Sequence, residues 1–81
     1  MTNDEIRSIV FQTLKTIAPE LEESGLQPDR PLRDQVDLDS MDWLYFLVAL
    51  HQRLHVEIPE ADYRKLTTLN TVVAYLASKG V

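Results

Sequence analysis

The sequence contains no cysteine. A disulfide framework, a thiolate metal site and a cysteine nucleophile are therefore excluded, and the chain suits a reducing compartment. Its only glycines are Gly25 and Gly80, which rules out a glycine-rich phosphate loop. The longest apolar run, Trp43 to Leu50, spans eight residues, whereas a membrane-spanning helix needs roughly 18 or more. Met1-Thr2-Asn3-Asp4 lacks the basic and then apolar order of a signal peptide. These absences predict a cytoplasmic protein that does not insert into a membrane. Bases are scarce where acids gather. Residues 34 to 62 hold seven acids and one base, Arg53, so this stretch is more negative than the whole chain at −5. Such a surface repels phosphate backbones and argues against nucleic-acid binding. It would steer basic partners, or simply keep a small protein soluble.

What is present suits one domain spanning residues 1–81, expected to be a monomer. Residues 3 to 17 read as an amphipathic helix, with Thr2 and Glu5 at capping-box spacing. Ile6, Ile9, Val10, Leu14 and Ile17 form its apolar stripe, and Pro19 stops it. Residues 19 to 39 form a long loop punctuated by Pro19, Gly25, Pro28 and Pro31. Leu21, Leu26, Leu32, Val36 and Leu38 would anchor it to a core. A second helix covers 40 to 54, capped by Asp39 or Ser40. Pro59 suits the first turn of a short helix reaching about Lys65. Thr68 can cap a last helix that carries Leu69, Val72, Val73 and Leu76 on one face and ends near Lys79 and Gly80. The expected fold is all-α: a small four-helix bundle with three longer helices, one short helix and a long loop between the first two.

The second helix has two apolar faces. At about 100° per residue, Trp43, Phe46, Leu47, Leu50 and Leu54 share one arc, while Met41, Leu44, Tyr45 and Val48 share nearly the opposite one. One arc must face the core. The other is either a binding patch beside Ser40 or is covered by a neighbouring helix.

Ser40 opens this helix. A serine there can be a plain cap, but the free N–H groups and positive dipole end would also favour a phosphodiester attached to it. A hydrolytic Ser40–His51 pair fails on distance. Eleven residues along one helix is roughly 16 Å, beyond the reach of a general base. Asp37-x-Asp39 is no calcium loop, because Asp42 replaces the required glycine and Val48 the bidentate glutamate.

Asp39-Ser40-Met41-Asp42 resembles the Asp-Ser-Leu-Asp motif of the acyl carrier proteins. Leu47-Val48-Ala49-Leu50, Val56-Glu57-Ile58-Pro59 and Lys65-Leu66-Thr67-Thr68-Leu69 follow at that family's spacing. With the first-helix stripe, the resemblance covers nearly the whole chain. It implies a non-enzymatic carrier. A phosphopantetheinyl transferase would use coenzyme A and Mg²⁺ to attach 4'-phosphopantetheine covalently to Ser40. The arm's thiol would hold an acyl group as a thioester, presented to acyl-loading and acyl-processing enzymes in a fatty-acid, lipid or polyketide-like pathway. Asp39, Met41, Asp42, Leu44, Tyr45 and Val48 would form the partner face. Trp43, Leu47, Leu50 and Leu66 would line the acyl pocket. No metal site is expected.

The chain departs from the family at five positions. Asp37 stands where a glycine is common, and Asp tolerates unusual backbone angles. Tyr45, His51 and Gln52 stand where acids are common, which implies a more aromatic docking face and a specialised partner set. Trp43 replaces a small residue, and either fills part of the acyl cavity or packs the core while the cavity opens elsewhere. Two alternatives stay open: a carrier-like bundle acting only as an interaction module, and an aminoacyl or peptidyl carrier. Asp39 weighs against the peptidyl carriers, which usually have a His before the modified Ser.

Overall fold

A computed structural model describes all 81 residues. The chain forms α1 (Asn3–Ile17), a 3-10 turn (Glu23–Gly25), α2 (Leu32–Gln35), α3 (Ser40–Leu54), a 3-10 helix (Glu60–Lys65) and α4 (Leu69–Ser78). No helix is long and apolar enough to cross a membrane. The expected all-α bundle is observed, with α3 and α4 both packed on α1.

Local chemistry sets the ends of the long helices. Thr2 caps α1: its hydroxyl accepts the Glu5 N–H, and the Glu5 carboxylate accepts the Thr2 N–H at 2.8 Å. Thr68 and Thr71 close the same reciprocal cap on α4. α3 ends at His55, whose backbone turns left-handed at φ 54°. His is among the side chains that tolerate this region. His51 Nδ1–H donates to the Val56 carbonyl at 2.7 Å and braces the turn.

Twenty buried apolar residues form one core. Ile6, Val10 and Leu14 of α1 meet Phe46, Leu47 and Leu50 of α3 and Val72 and Leu76 of α4, all nearly free of solvent. Each contributes about 1.5–3 kcal/mol through burial. Thr13 is the one buried polar residue. It donates to the Ile9 carbonyl at 2.7 Å and accepts from Arg53 at 3.2 Å, joining α1 to α3.

The loop between α1 and α3 is more ordered than the expected coil. Leu26, Leu32, Val36 and Leu38 are buried, as anchors should be, and Leu21 is half-buried. The Leu32 N–H donates to the Thr67 carbonyl at 2.8 Å, and the Asn70 N–H donates to that of Pro28 at 3.0 Å. These bonds tie the loop to the start of α4. The Gln35 amide accepts from the Gln27 N–H at 2.6 Å and donates to the Gln27 and Arg30 carbonyls at 2.8 and 2.9 Å. It thus satisfies loop backbone groups that lack a ladder of their own.

The short helix expected from Pro59 is a 3-10 helix, Glu60–Lys65, the form that brief helical pieces often take. Tyr75 of α4 donates to Asp62 within it at 2.7 Å, and Lys65 pairs with the same carboxylate at 3.3 Å. Those two bonds hold the Asp62 carboxyl below its usual range. Burial, then the bond to Asp62, pushes the Tyr75 hydroxyl up to about 12.

Replacing Gln35 by Ala should lower stability by about 1–3 kcal/mol, read as a shift in urea midpoint with an unchanged slope. Tyr75→Phe should also destabilise at neutral pH. The Asp62 contribution is present above the ordinary Asp value and fades as pH falls below it. The Tyr75 contribution is present below the ordinary Tyr value of 10 and fades as pH rises through about 12. The gap between wild type and Tyr75→Phe should therefore narrow at both extremes in pH-dependent melts.

Candidate functional site

α3 begins at Ser40 because Asp39 is its cap. The Asp39 backbone is extended (φ −80°, ψ 179°), and its carboxylate accepts the Asp42 N–H at 2.8 Å. The Trp43 N–H reaches the Asp39 carbonyl at 3.0 Å. Of the two expected candidates for the cap, Asp39 takes the role. The Ser40 side chain is exposed and takes no part in that cap. The Ser40 and Met41 N–H groups have no protein acceptor, as the geometry of a helix start dictates. An exposed hydroxyl thus stands beside two unpaired amide donors at the positive end of a 15-residue helix.

These features fit a phosphodiester-linked group at Ser40. The free N–H groups can donate to its oxygens, while Asp39 beside it and the half-buried Asp42 oppose its negative charge. The turn before the site carries no strain. His55 and Gly80 are the only residues with positive φ, so Asp37 occupies the place of the family's usual glycine in an ordinary conformation. The special tolerance anticipated for Asp37 is not needed.

The two faces of α3 separate cleanly. Trp43, Phe46, Leu47, Leu50 and Leu54 are buried. Met41 and Tyr45 are more than half exposed, at 56% and 57%, and Leu44 and Val48 are each 40% exposed. Neither α1 nor α4 covers this second face. It continues directly from Ser40 and is flanked by Asp39 and Asp42.

The four residues anticipated around an acyl pocket divide between two places. Trp43 and Leu66 line an open cleft of about 320 Å³, together with Tyr63, Arg33, Arg64 and Thr67. Leu47 and Leu50 lie in the closed core, at 1% and 0% exposure, and line no cleft. Trp43 packs against Phe46 with ring centroids 5.0 Å apart. One edge of the indole thus closes the core and the other borders the cleft.

Arg33, Tyr63 and Arg64 did not stand out in the sequence, and Thr67 entered only within the Lys65 to Leu69 match. The chain brings α2 against the segment before α4, so residues some thirty positions apart meet. The available signal was faint: both arginines stand just outside the acidic stretch 34 to 62. His51 is engaged with Val56 rather than Ser40, in keeping with the absence of a dyad.

The comparisons with known proteins agree with this geometry. Residues 4–76 match the family described as a phosphopantetheine attachment site. The chain is similar to the acyl carrier protein of Streptomyces coelicolor, with 32% identity over 74 residues, covering 91% of this chain and 76% of that one. It is similar along its full length to the acyl carrier protein of Acidothermus cellulolyticus, at 26% identity and 95% of that protein. A solution structure assigned to an acyl carrier protein from Anaplasma phagocytophilum superposes with a TM-score of 0.85 at 27% identity, covering 100% of this chain and 94% of that one.

If Asp39 alone caps α3, Asp39→Ala should cost about 0.5–2 kcal/mol. Ser40→Ala should change stability little, because alanine is the better helix former at an uncapped position. Paired urea titrations of the two variants test this directly.

Proposed function

The chain belongs to the acyl carrier proteins of the phosphopantetheine-attachment family, and from that premise we propose that Ser40 is its attachment residue. The observation that carries the reading is the division of labour at the start of α3. Asp39 supplies the cap, so the Ser40 hydroxyl is exposed and uncommitted. In attachment, the Ser40 oxygen bonds to the phosphorus that bears the pantetheine of coenzyme A. The pyrophosphate bond breaks, adenosine 3',5'-bisphosphate leaves, and the serine proton passes to a base of the transferase.

Once attached, the arm supplies a thiol that carries an acyl group as a thioester. The chain itself is a carrier and not an enzyme. Its contribution is presentation: tethering the cargo to a docked protein raises its effective concentration at each partner's active site. Met41, Leu44, Tyr45 and Val48 form the docking face, and Asp39 and Asp42 form its acidic border. The matching partner surface is apolar with a basic rim. Four exposed apolar side chains with two acids favour partners specialised for this carrier, in a fatty-acid, lipid or polyketide-like pathway.

Incubation with coenzyme A, Mg²⁺ and a broad-specificity phosphopantetheinyl transferase should add one phosphopantetheine to the intact mass. Ser40→Ala should abolish the gain. No gain in wild type would favour a bundle that acts only as an interaction module. A gain that persists in Ser40→Ala would place the attachment elsewhere.

A further inference from the structure

The cleft beside Ser40 has an uneven chemistry. Trp43, Tyr63 and Leu66 give it apolar walls, and Arg33 and Arg64 stand at its edge. No acid lines it, although the chain as a whole carries −5. Both arginines are exposed. Neither makes an ion pair, since the one ion pair in the structure joins Lys65 to Asp62. Two arginines without ion-pair partners thus line one apolar groove with Trp43, which stands three residues after Ser40 on α3.

We propose that this cleft selects acyl cargo ending in a carboxylate, with Arg33 and Arg64 holding the carboxylate while Trp43, Tyr63 and Leu66 cover the methylene stem. The inference rests on the reading of Ser40 as the attachment point. Guanidinium donors match a carboxylate in paired, planar geometry. A plain alkyl chain would gain nothing from them. The phosphodiester at Ser40 already has the free Ser40 and Met41 N–H groups beside it, which leaves the arginines to the cargo. Size sets a limit as well. At about 30 Å³ per water-sized group, a cleft of about 320 Å³ holds a short acyl group. Leu47 and Leu50, in the closed core, offer no extension for a longer one.

The test compares three loaded forms of the protein by ¹H–¹⁵N NMR: the free thiol, the pentanoyl thioester and the glutaryl thioester. The latter two have equal carbon counts and differ in the terminal carboxylate. The Trp43 indole N–H and the Tyr63 and Leu66 amides should shift in the glutaryl form relative to the pentanoyl form. The Arg33→Gln/Arg64→Gln double variant should lose that difference, and raised salt should weaken it. Both positions are exposed, so the fold should tolerate the change.

Equal shifts with pentanoyl would overturn the proposal. So would persistence in the double variant, or shifts already complete in the free-thiol form, which would make the phosphodiester the ligand. Intact mass reports separately whether Ser40 was loaded, so a failure of attachment is not mistaken for a failure of cargo selection. Titrating the unloaded chain with S-glutaryl-pantetheine provides an arm independent of Ser40. Movement of the same resonances, lost in the double variant, supports the site, and no movement at millimolar ligand overturns it.

Discussion

The Asp39 carboxylate accepts the Asp42 N–H at 2.8 Å, and this one bond decides what Ser40 is free to do. A helix start needs a side-chain acceptor. Had Ser40 supplied it, the helix would begin one residue later and the hydroxyl would be bound to its own backbone. With Asp39 in that role, Ser40 becomes the first residue of α3 and its hydroxyl faces solvent. The same cap imposes an electrostatic cost on any attached phosphodiester, because it places a carboxylate next to it. The unpaired Ser40 and Met41 N–H groups and the helix dipole oppose that cost.

The rest of the fold holds α3 in place and frames the space beside it. One face of α3 is sealed against α1 and the core, which leaves Met41, Leu44, Tyr45 and Val48 outward. The long loop is drawn in by Leu32 and Val36, by the Leu32–Thr67 backbone bond and by the Gln35 amide. That path carries Arg33 to the edge of the cleft. From the other side, the Asp62–Tyr75 bond ties the 3-10 helix to α4 and sets Tyr63 and Arg64 beside Trp43. The cleft is therefore a product of two tethers distant in sequence.

Features set by local chemistry were legible in the sequence. Thr2 with Glu5, Thr68 and Pro19 marked helix ends because capping and proline geometry act within a few residues. The two arcs of α3 followed from helical period alone, but whether the second would stay open or be covered by a neighbouring helix depended on how α1 and α4 pack, and was decided only by the exposure of Met41, Leu44, Tyr45 and Val48. What stayed hidden depends on long-range contacts. Gln35 looked like an ordinary loop residue, since nothing nearby says that its amide will meet the backbone of Gln27 and Arg30. The left-handed turn at His55 was not anticipated, because no glycine marks it. His51 looked like a replaced surface acid, yet it bonds to Val56 and steadies that turn. The pairing of Arg33 with Arg64 exists only once α2 and the 3-10 helix share one edge.

If the arm attaches at Ser40 as proposed, Asp39 must keep the helix cap while Ser40 holds the arm. Amide hydrogen exchange at the start of α3, measured before and after attachment, tests this most directly. Exchange at Asp42, whose N–H stays on the Asp39 carboxylate, should be unchanged, and exchange at Ser40 and Met41 should slow as the phosphodiester accepts their N–H groups. Faster exchange at Asp42, or no change at Ser40 and Met41, would contradict this division of tasks.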